Sequence, residues 1–396
     1  MIDTVVLSIP CKSEDFKDLN IFTDSLDGIW EAPFRRLPNG YFNTKRNPTS
    51  TEKTCNIYVP RLTLIKRVSN GFHTELRIEF SIPKLLYGNN FQEVDDNAFE
   101  QILDTLEHKL AYMQVDISKD RLRNARVSAI HYSKNLILPK GLSCPMVLNQ
   151  LEKAVDCNQM LDLNNVSFKN GGQILHIHAK DWEFVIYDKV KELEQAKKSE
   201  SKSIEKDSYV QFNLLDELKP TLSVLRFEFR LGNGRSIRQM LRRYSPEALE
   251  DEVLVFHNLF SKEIAMKMLL GYWNEIKDRY LTISWKEENN FEYFSRLKAE
   301  NPTLKDAELI NIFFLNSMVK EVGISGLRAV MDWNGKKDSY KWTRKRDLLD
   351  KVNTSNNEKD FIIREISEQL NKFEIIVYKF GDESFDNRQV VYNNDK

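Results

Sequence analysis

Alternating apolar and polar residues dominate the first half of the sequence. Residues 4–9, 55–66 and 73–82 form three such runs, and the last two are joined around Asn70-Gly71. A period of two is typical of β-strands with one buried face, and Asn-Gly favours the tight turn of a hairpin. The pattern therefore predicts an early antiparallel sheet.

Helical patterns interrupt these strands and dominate the chain after about residue 235. Amphipathic helices are predicted at 96–113 and near 144–157, with a strand at 125–133 between them. A further strand, with polar side chains alternating on one face, is predicted at 224–231. Later helices are predicted at 236–243, 251–279, 303–322 and 361–373, with another beginning at Gly323.

The order of these elements predicts an α+β fold. In it, an antiparallel sheet is flanked by helices and followed by a mainly helical C-terminal domain. We place the boundary at residue 235, which gives domains 1–235 and 236–396. Residues 194–208 are polar and charged, so they have little apolar surface to bury and are expected to protrude from the first domain.

Composition excludes several classes of protein. The 396 residues contain no apolar run long enough to cross a membrane, and the first residues alternate like a strand rather than a signal peptide. We therefore expect cytoplasmic folding without membrane association. The cysteines lack the paired spacing of a zinc ribbon, and they are Cys11, Cys55, Cys144 and Cys157.

Basic residues are concentrated in two places, although the net charge is only −1. Between Arg226 and Arg243 there are six arginines and one acid, and a second cluster at 336–346 includes Tyr340 and Trp342. Either cluster alone is typical of a solvated face, but the two together favour a nucleic-acid partner. The predicted DNA contacts are Arg226, Arg230, Arg235, Arg238, Arg242, Lys341 and Arg344.

The segment 176–191 combines imidazole, phenol and ammonium groups. His176 and His178 stand at i and i+2 of a predicted strand, so their side chains project from one face about 7 Å apart. A hairpin through Lys180-Asp181 with a four-residue loop would bring Tyr187 to that face, whereas a three-residue loop would turn it away. Two histidines that hold a metal ion beside a tyrosine would form a metal-assisted nucleophile. The ammonium groups of Lys189 and Lys191 are nearby and could contact the phosphate or the leaving oxygen.

Two residues on other predicted strands could complete a metal site. Glu228 alternates with Phe227 and Phe229, and it either pairs with its flanking arginines or serves as an oxygen ligand. His131 is either a structural histidine or a further ligand. No glycine-rich phosphate loop offers a competing active site.

Several segments of the sequence resemble one family. They are Met1-Ile-Asp3, Ile78-Glu-Phe80 with Pro83-Lys-Leu-Leu86 and Gly88-Asn-Asn90, Tyr187-x-Lys189-x-x-Glu192-Leu193, and Leu225-Arg-Phe-Glu228. This order is similar to that of the gene II/X family of phage and plasmid replication initiators. The resemblance spans most of the chain and is strongest from about residue 75 to residue 235.

The resemblance implies a site-specific DNA nickase and strand transferase. Tyr187 would correspond to the nucleophile, Lys189 to its accompanying lysine and Glu228 to a strand carboxylate. Mg²⁺ or Mn²⁺ is the implied cofactor, and the implied partners are origin DNA and a host helicase. Ser128 departs from the pattern, because the family has an aspartate there. His131 could replace it, although the two would lie on opposite faces of a regular strand.

Two alternatives remain open. A relaxase or transposase of a mobile element would use the same chemistry on a different DNA substrate. A replication regulator that binds DNA without cutting it would keep the scaffold and lack the reaction.

Overall fold

The computed structural model describes most of the chain. The described residues are 1–22, 41–55, 57–67, 74–156, 165–169, 173–192, 223–249, 254–281, 283, 285, 288–331, 333, 339–350, 361–377 and 391–392. The expected protruding segment 194–208 and the Asn70-Gly71 turn lie outside them.

The described chain contains strands and helices in an α+β arrangement, as predicted. The strands are β1 (Ile2–Pro10), β2 (Tyr41–Arg46), β3 (Arg61–Arg67), β4 (Thr74–Ser81), β5 (Arg126–Ile137), β6 (Asn165–Lys169), β7 (Ile174–His178), β8 (Trp182–Asp188), β9 (Val224–Leu231), β10 (Ile376–Val377) and β11 (Val391–Tyr392). The α-helices are α1 (Ser50–Thr54), α2 (Ile82–Tyr87), α3 (Phe99–Tyr112), α4 (Lys119–Arg123), α5 (Cys144–Ala154), α6 (Gly234–Tyr244), α7 (Phe256–Leu259), α8 (Lys262–Lys277), α9 (Asn290–Glu300), α10 (Asp306–Val330), α11 (Ser339–Asp350) and α12 (Phe361–Lys372).

Two compact units interleave along the chain. The first comprises Met1–Ile137, Asp181–Leu269 and Phe373–Lys396, and the second comprises Leu138–Lys180 and Leu270–Lys372. The sequence-based division used a single boundary at residue 235, and as a division of function it stays a prediction.

The first unit contains an antiparallel sheet in the order β2-β3-β4-β1-β5-β9-β8. Apolar residues at every second position give each central strand one buried side. In the β1–β4 register, for example, Val5 lies opposite Phe80, and both side chains are buried. The predicted antiparallel sheet is thus confirmed.

Helices cover one face of this sheet. The Phe256 ring of α7 lies 6.2 Å from Phe80 on β4 and 5.2 Å from Phe99 on α3, measured between ring centroids. Tyr244 at the end of α6 lies 6.4 Å from Phe229 on β9. Because neighbouring residues of a strand point to opposite sides, the polar residues that alternate with these aromatics face away from the helices.

A β-bulge interrupts the pairing of β1 with β5. Val6 pairs with Ala129 and Leu7 pairs with Val127, so Ser128 is an extra residue on β5. Its hydroxyl donates to the carbonyl of Val6 at 3.1 Å. The predicted separation of Ser128 and His131 onto opposite faces assumes a regular strand, which this bulge excludes.

The second unit is mainly helical and contains the antiparallel pair β6–β7. Helix α5 packs against α10, and a buried core surrounds both. Within it, the Asp156 carboxylate accepts hydrogen bonds from Arg328 Nη1 at 2.9 Å and from Trp342 Nε1 at 2.7 Å. Trp342 was predicted as part of an exposed basic and aromatic surface, but it is buried here.

Two predictions of single elements are wrong. The run 55–66 does not form one strand, because α1 ends at Thr54 and β3 begins only at Arg61. A capping box, in which the side chains of Thr49 and Glu52 each accept a hydrogen bond from the other's backbone, stabilises the start of α1. The prediction of one helix at 251–279 is also wrong, because the described part of this segment forms two helices, α7 and α8.

Glycine 323 marks a break that the sequence predicts correctly. It has φ of +72° and interrupts α10, so a second helical segment follows it. A Cβ at this position would lie 3.3 Å from Lys153 Cα. Close approach of the backbones and the left-handed conformation both favour glycine here. Strands β2 and β6 and helix α11 were not predicted from the sequence.

Candidate active site

Three neighbouring strands place polar side chains on the sheet face away from the helices. In the register, Tyr187 on β8 lies opposite Arg226 on β9, and Glu228 lies opposite Ser133 on β5. Arg230 lies opposite His131 in the same pairing. Directly opposed residues share a face, so all of these side chains lie on one side of the sheet.

Glu228 is the centre of this group. Its carboxylate accepts a hydrogen bond from the Tyr187 hydroxyl at 3.2 Å and one from Arg230 Nη2 at 2.9 Å. His131 Nδ1 lies 3.4 Å from the other carboxylate oxygen. Burial by itself raises the pKa of Glu228, but Arg230 and His131 outweigh burial and hold that pKa well below its ordinary value. The carboxylate is therefore ionised at neutral pH.

Tyr187 is buried, with 7% of its surface exposed. Burial first, and then the neighbouring Glu228 carboxylate, raise the pKa of its hydroxyl well above the ordinary value. The phenol is therefore protonated in this structure, and a substrate can reach it only after local rearrangement. Arg230, whose side chain is 36% exposed, is the most accessible member of the group around Glu228.

Arg226 has a different environment from the one expected of a DNA contact. Its guanidinium donates to Asp3 Oδ1 at 2.6 Å and to Ser133 Oγ at 2.9 Å. It also donates to the backbone carbonyl of Asn90 at 2.6 Å. The side chain is buried, so Arg226 joins three segments of the protein and offers no exposed surface to a phosphate. Its predicted role as a DNA contact is corrected on this ground.

Lys189 is buried completely next to Tyr187. Its ammonium lies 5.8 Å from the centroid of the Tyr187 ring and 2.8 Å from a carboxylate oxygen of Glu192. Burial lowers the pKa of Lys189, and Glu192 opposes that effect. Lys191, two residues further on, is exposed. The two lysines named from the sequence therefore have different surroundings.

The histidine pair lies on β7 in the second unit. Both side chains are half-buried, and the ring centroids of His176 and His178 are 5.7 Å apart, so they share a face as predicted. Two imidazoles on one strand face are donors that could hold a metal ion. The pairing of this histidine strand with the Tyr187 strand stays a prediction.

Three members of the site were not identified from the sequence. Asp3 stands in a segment quoted for the family resemblance, but nothing in the pattern distinguished its carboxylate. Ser133 follows His131 at i+2 on the same strand face, which was the available signal. Glu183, whose carboxylate lies 3.4 Å from Arg230, also shares a strand face with Tyr187 at i+4.

The other arginines and lysines predicted to contact DNA lie on two helices. Arg235, Arg238 and Arg242 lie on α6, where the first and last are exposed and Arg238 is half-buried. Lys341 and Arg344 are exposed on α11 in the second unit. Exposure at these positions is compatible with contacts to DNA.

The fold and the polar face together define the class of this protein: an α+β protein with a tyrosine–carboxylate–arginine cluster on an antiparallel sheet. The family model for the N-terminal domain of the phage gene II replication-associated protein matches residues 1–248. The chain therefore belongs to this family of phage replication proteins, which implies a role in initiating DNA replication and in binding origin DNA. No curated protein and no solved structure matches it.

The matched region contains the whole Tyr187 and Glu228 cluster. The helices from α7 onward follow the matched region. Among the described helices, none is both long and apolar enough to span a membrane.

Proposed function

We propose that the protein is a site-specific DNA nickase and strand transferase that initiates rolling-circle replication in the cytoplasm, with Tyr187 as its nucleophile. Family membership supports a replication role, and the 3.2 Å hydrogen bond from the Tyr187 hydroxyl to Glu228 carries the assignment of the residue. A phenol is a poor nucleophile while it keeps its proton. Glu228 accepts the hydrogen bond from that hydroxyl, so it can take the proton as the oxygen–phosphorus bond forms and the phenol oxygen becomes acidic.

In the proposed first step, Tyr187 Oη attacks the phosphorus of an origin phosphodiester. The new oxygen–phosphorus bond forms as the bond from phosphorus to the 3′ oxygen breaks. The phenol proton passes to Glu228, and the leaving oxygen takes a proton from water to become a 3′ hydroxyl. The products are a 5′-phosphotyrosine ester and a primer end for a polymerase.

The second step reverses the first on a new end. A 3′ hydroxyl attacks the phosphotyrosine, the phosphodiester forms again, and the phenol regains its proton. An ester exchange of this kind conserves the bond energy, so resealing needs no nucleotide hydrolysis. Lys189 is assigned to the phosphate or the leaving oxygen, because its ammonium is next to the Tyr187 ring.

The metal part of the proposal rests on the donor set. His176 and His178 would hold Mg²⁺ or Mn²⁺, and imidazole nitrogens favour Mn²⁺ of the two. When bound, the ion would offset charge on the transferred phosphate. Glu228 and His131, also named as ligands from the sequence, are close to each other, and Arg230 already binds Glu228.

Two alternative functions differ from this proposal in whether an adduct forms and on which DNA it forms. A relaxase or transposase would form the same adduct, but on DNA of a mobile element rather than on a replication origin. A non-catalytic regulator would bind origin DNA and form no adduct. A host helicase is the further partner we propose, since a nicked duplex must be unwound.

The test is formation of a covalent protein–DNA adduct. The protein is incubated with supercoiled and single-stranded origin-bearing DNA and with Mg²⁺ or Mn²⁺, and adducts are separated on denaturing gels. We expect an adduct with the wild type and none with Tyr187→Phe. The control is Tyr132→Phe, because Tyr132 is a buried tyrosine on β5 that donates to the carbonyl of Leu259 and points to the opposite face.

The absence of an adduct with every origin-bearing substrate overturns the nickase proposal. An adduct formed by Tyr187→Phe shows that another residue is the nucleophile. If Tyr132→Phe loses as much adduct formation as Tyr187→Phe, the effect of Tyr187→Phe is on folding and not on the reaction.

A further inference from the structure

We propose that helix α6 binds the phosphate backbone of duplex DNA, on the side of the sheet away from Tyr187. This inference deepens the proposed function and rests on it only in naming DNA as the partner. The basic stripe of the helix is defined by Arg235 and Arg242, which are exposed, and Arg238, which is half-buried.

Packing fixes the direction in which the stripe points. Ile237, Met240 and Leu241 are the buried apolar residues of α6, and the helix lies on the aromatic face of the sheet, where Tyr244 contacts Phe229. The arginine stripe is on the opposite side of this amphipathic helix. Tyr187 and Glu228 lie on the other face of the sheet, so the stripe and the proposed nucleophile are separated by the sheet and the helix.

The helix dipole favours only one arginine of the stripe, Arg242 in the last turn. Arg235 stands in the first turn, where the helix dipole disfavours a positive charge. Like charges at i, i+3 and i+7 also repel one another along a helix. Within the part of the chain that the structure describes, Arg235, Arg238 and Arg242 form no ion pair. A row of cations held in this way is suited to an external polyanion.

The form of the stripe favours a duplex over a single strand. A helix rises about 1.5 Å per residue, so Arg235 and Arg242 are spaced about 10 Å apart on a rigid rod. Rigid spacing suits the regular phosphates of a duplex. Single-strand binding uses exposed aromatic rings for base stacking. The only aromatic residue of α6 is Tyr244, and its ring packs against the sheet.

Arg230 on the active-site face and Arg235 at the start of α6 are five positions apart in the chain. Arg230 is half-exposed near the end of β9, and Arg235 follows it after a short turn at Gly232. Gly232 N donates to the carbonyl of Asp181 at 3.1 Å, which holds the end of β9 against the residue before β8. DNA that leaves the Tyr187 face past Arg230 would meet Arg235 first and then the other two arginines.

The test is duplex binding by the full chain without metal, so that cleavage does not interfere. The probe is a fluorescent duplex of about 30 base pairs and random sequence, titrated at salt concentrations between about 50 and 200 mM. The variant is Arg235→Gln with Arg238→Gln and Arg242→Gln, since glutamine keeps the helix propensity of arginine. The control removes three exposed lysines of the same unit, by Lys12→Gln with Lys17→Gln and Lys45→Gln.

We expect the slope of log affinity against log salt to become shallower by about 3 in the arginine variant, because each lost phosphate contact removes about 0.9. Duplex affinity should fall at least about tenfold at the lowest salt, and the lysine control should match the wild type. A slope and affinity equal to those of the control would overturn the inference. An equal loss for a single-stranded probe would overturn the assignment to duplex DNA. A wild type that binds the duplex but never forms an adduct overturns the nickase proposal and leaves this inference standing.

Discussion

Arg226 donates a 2.6 Å hydrogen bond to the carboxylate of Asp3, although 223 positions separate the two residues in the chain. Burial raises the pKa of Asp3, but Arg226, together with the smaller effects of Lys189 and His131, brings that pKa below its ordinary value. The same guanidinium also binds the backbone of Asn90. Three segments that separately resemble the replication-initiator family therefore meet at one side chain. This junction lies beside Tyr187, which is directly opposite Arg226 on the neighbouring strand.

Replacing Arg226 should strongly destabilise the first unit. We expect Arg226→Met to lower the free energy of unfolding by about 3 to 5 kcal/mol, because the Asp3 carboxylate, which is only 15% exposed, would lose its charged partner. The control is Arg61→Met, since Arg61 pairs with Glu79 at 3.5 Å on a partly exposed surface and should cost at most about 1 kcal/mol. Urea denaturation measures both. Equal shifts would contradict a structural role for Arg226.

Acid should destabilise the protein partly through Glu93. Its carboxylate accepts hydrogen bonds from Lys134 Nζ, the backbone of Asn135 and the backbone of Ile376, at 2.6, 2.7 and 3.0 Å. Burial raises the pKa of Glu93, but Lys134, the N-terminal ammonium and the hydrogen bond from the Asn135 backbone together lower that pKa below 4.5. The stabilisation is therefore present above the ordinary pKa and is lost as pH falls through the lowered pKa.

Melting temperatures from about pH 7 to about pH 3 test this expectation. Glu93→Gln should be less stable than the wild type at neutral pH, and the difference should shrink as the solution becomes acidic. Glu79→Gln serves as the control at a partly exposed carboxylate. A difference that stays constant with pH would exclude Glu93 as the titrating group.

Removal of one imidazole should weaken cleavage without unfolding the protein. We expect His178→Ala to reduce cleavage at limiting Mn²⁺ by at least about tenfold, as other changes around metal sites do. Excess metal should restore part of the activity. His108→Ala, at an exposed position on α3, is the control. Unchanged cleavage of His178→Ala at limiting metal would remove this residue from the proposed site.

The break in α10 should require glycine for two separable reasons. Gly323→Ala places a residue with Cβ at φ of +72° and brings that Cβ to 3.3 Å from Lys153 Cα. We expect it to cost more than the conformational penalty alone, which is about 1 to 2 kcal/mol. Gly141→Ala is the matched control, because Gly141 has φ of +92° but no atom within 4 Å of the added Cβ. Thermal unfolding that ranks the two variants equally would show that the contact with Lys153 can relax.

Local patterns in the sequence predicted much of the fold. The strand at 224–231, with Arg226, Glu228 and Arg230 on one face, has the predicted bounds. The helix of residues 361–373 differs by one residue at its end. These elements could be predicted because a period of two or 3.6 is a property of consecutive residues. The two helices α7 and α8 were predicted as one, because apolar periodicity continues across the non-helical residues Phe260 and Ser261.

The candidate site was only partly predictable. The sequence identified Tyr187, Glu228 and His131, and the structure brings these three together. Asp3 was missed because an aspartate near the start of a strand carries no local signal of a partner 223 positions away. Arg226 was assigned to DNA because composition counts charges but does not show their burial.

Local sequence patterns were sufficient to predict the type of most elements, the alternation of Arg226, Glu228 and Arg230, and the resemblance to replication initiators. The burial of Arg226 on Asp3, the bulge at Ser128 and the direction of the α6 arginines away from Tyr187 became evident from the folded structure. Strand register and the packing of a helix on one sheet face depend on contacts between distant segments. A local pattern cannot encode those contacts, since the same alternation is compatible with either register.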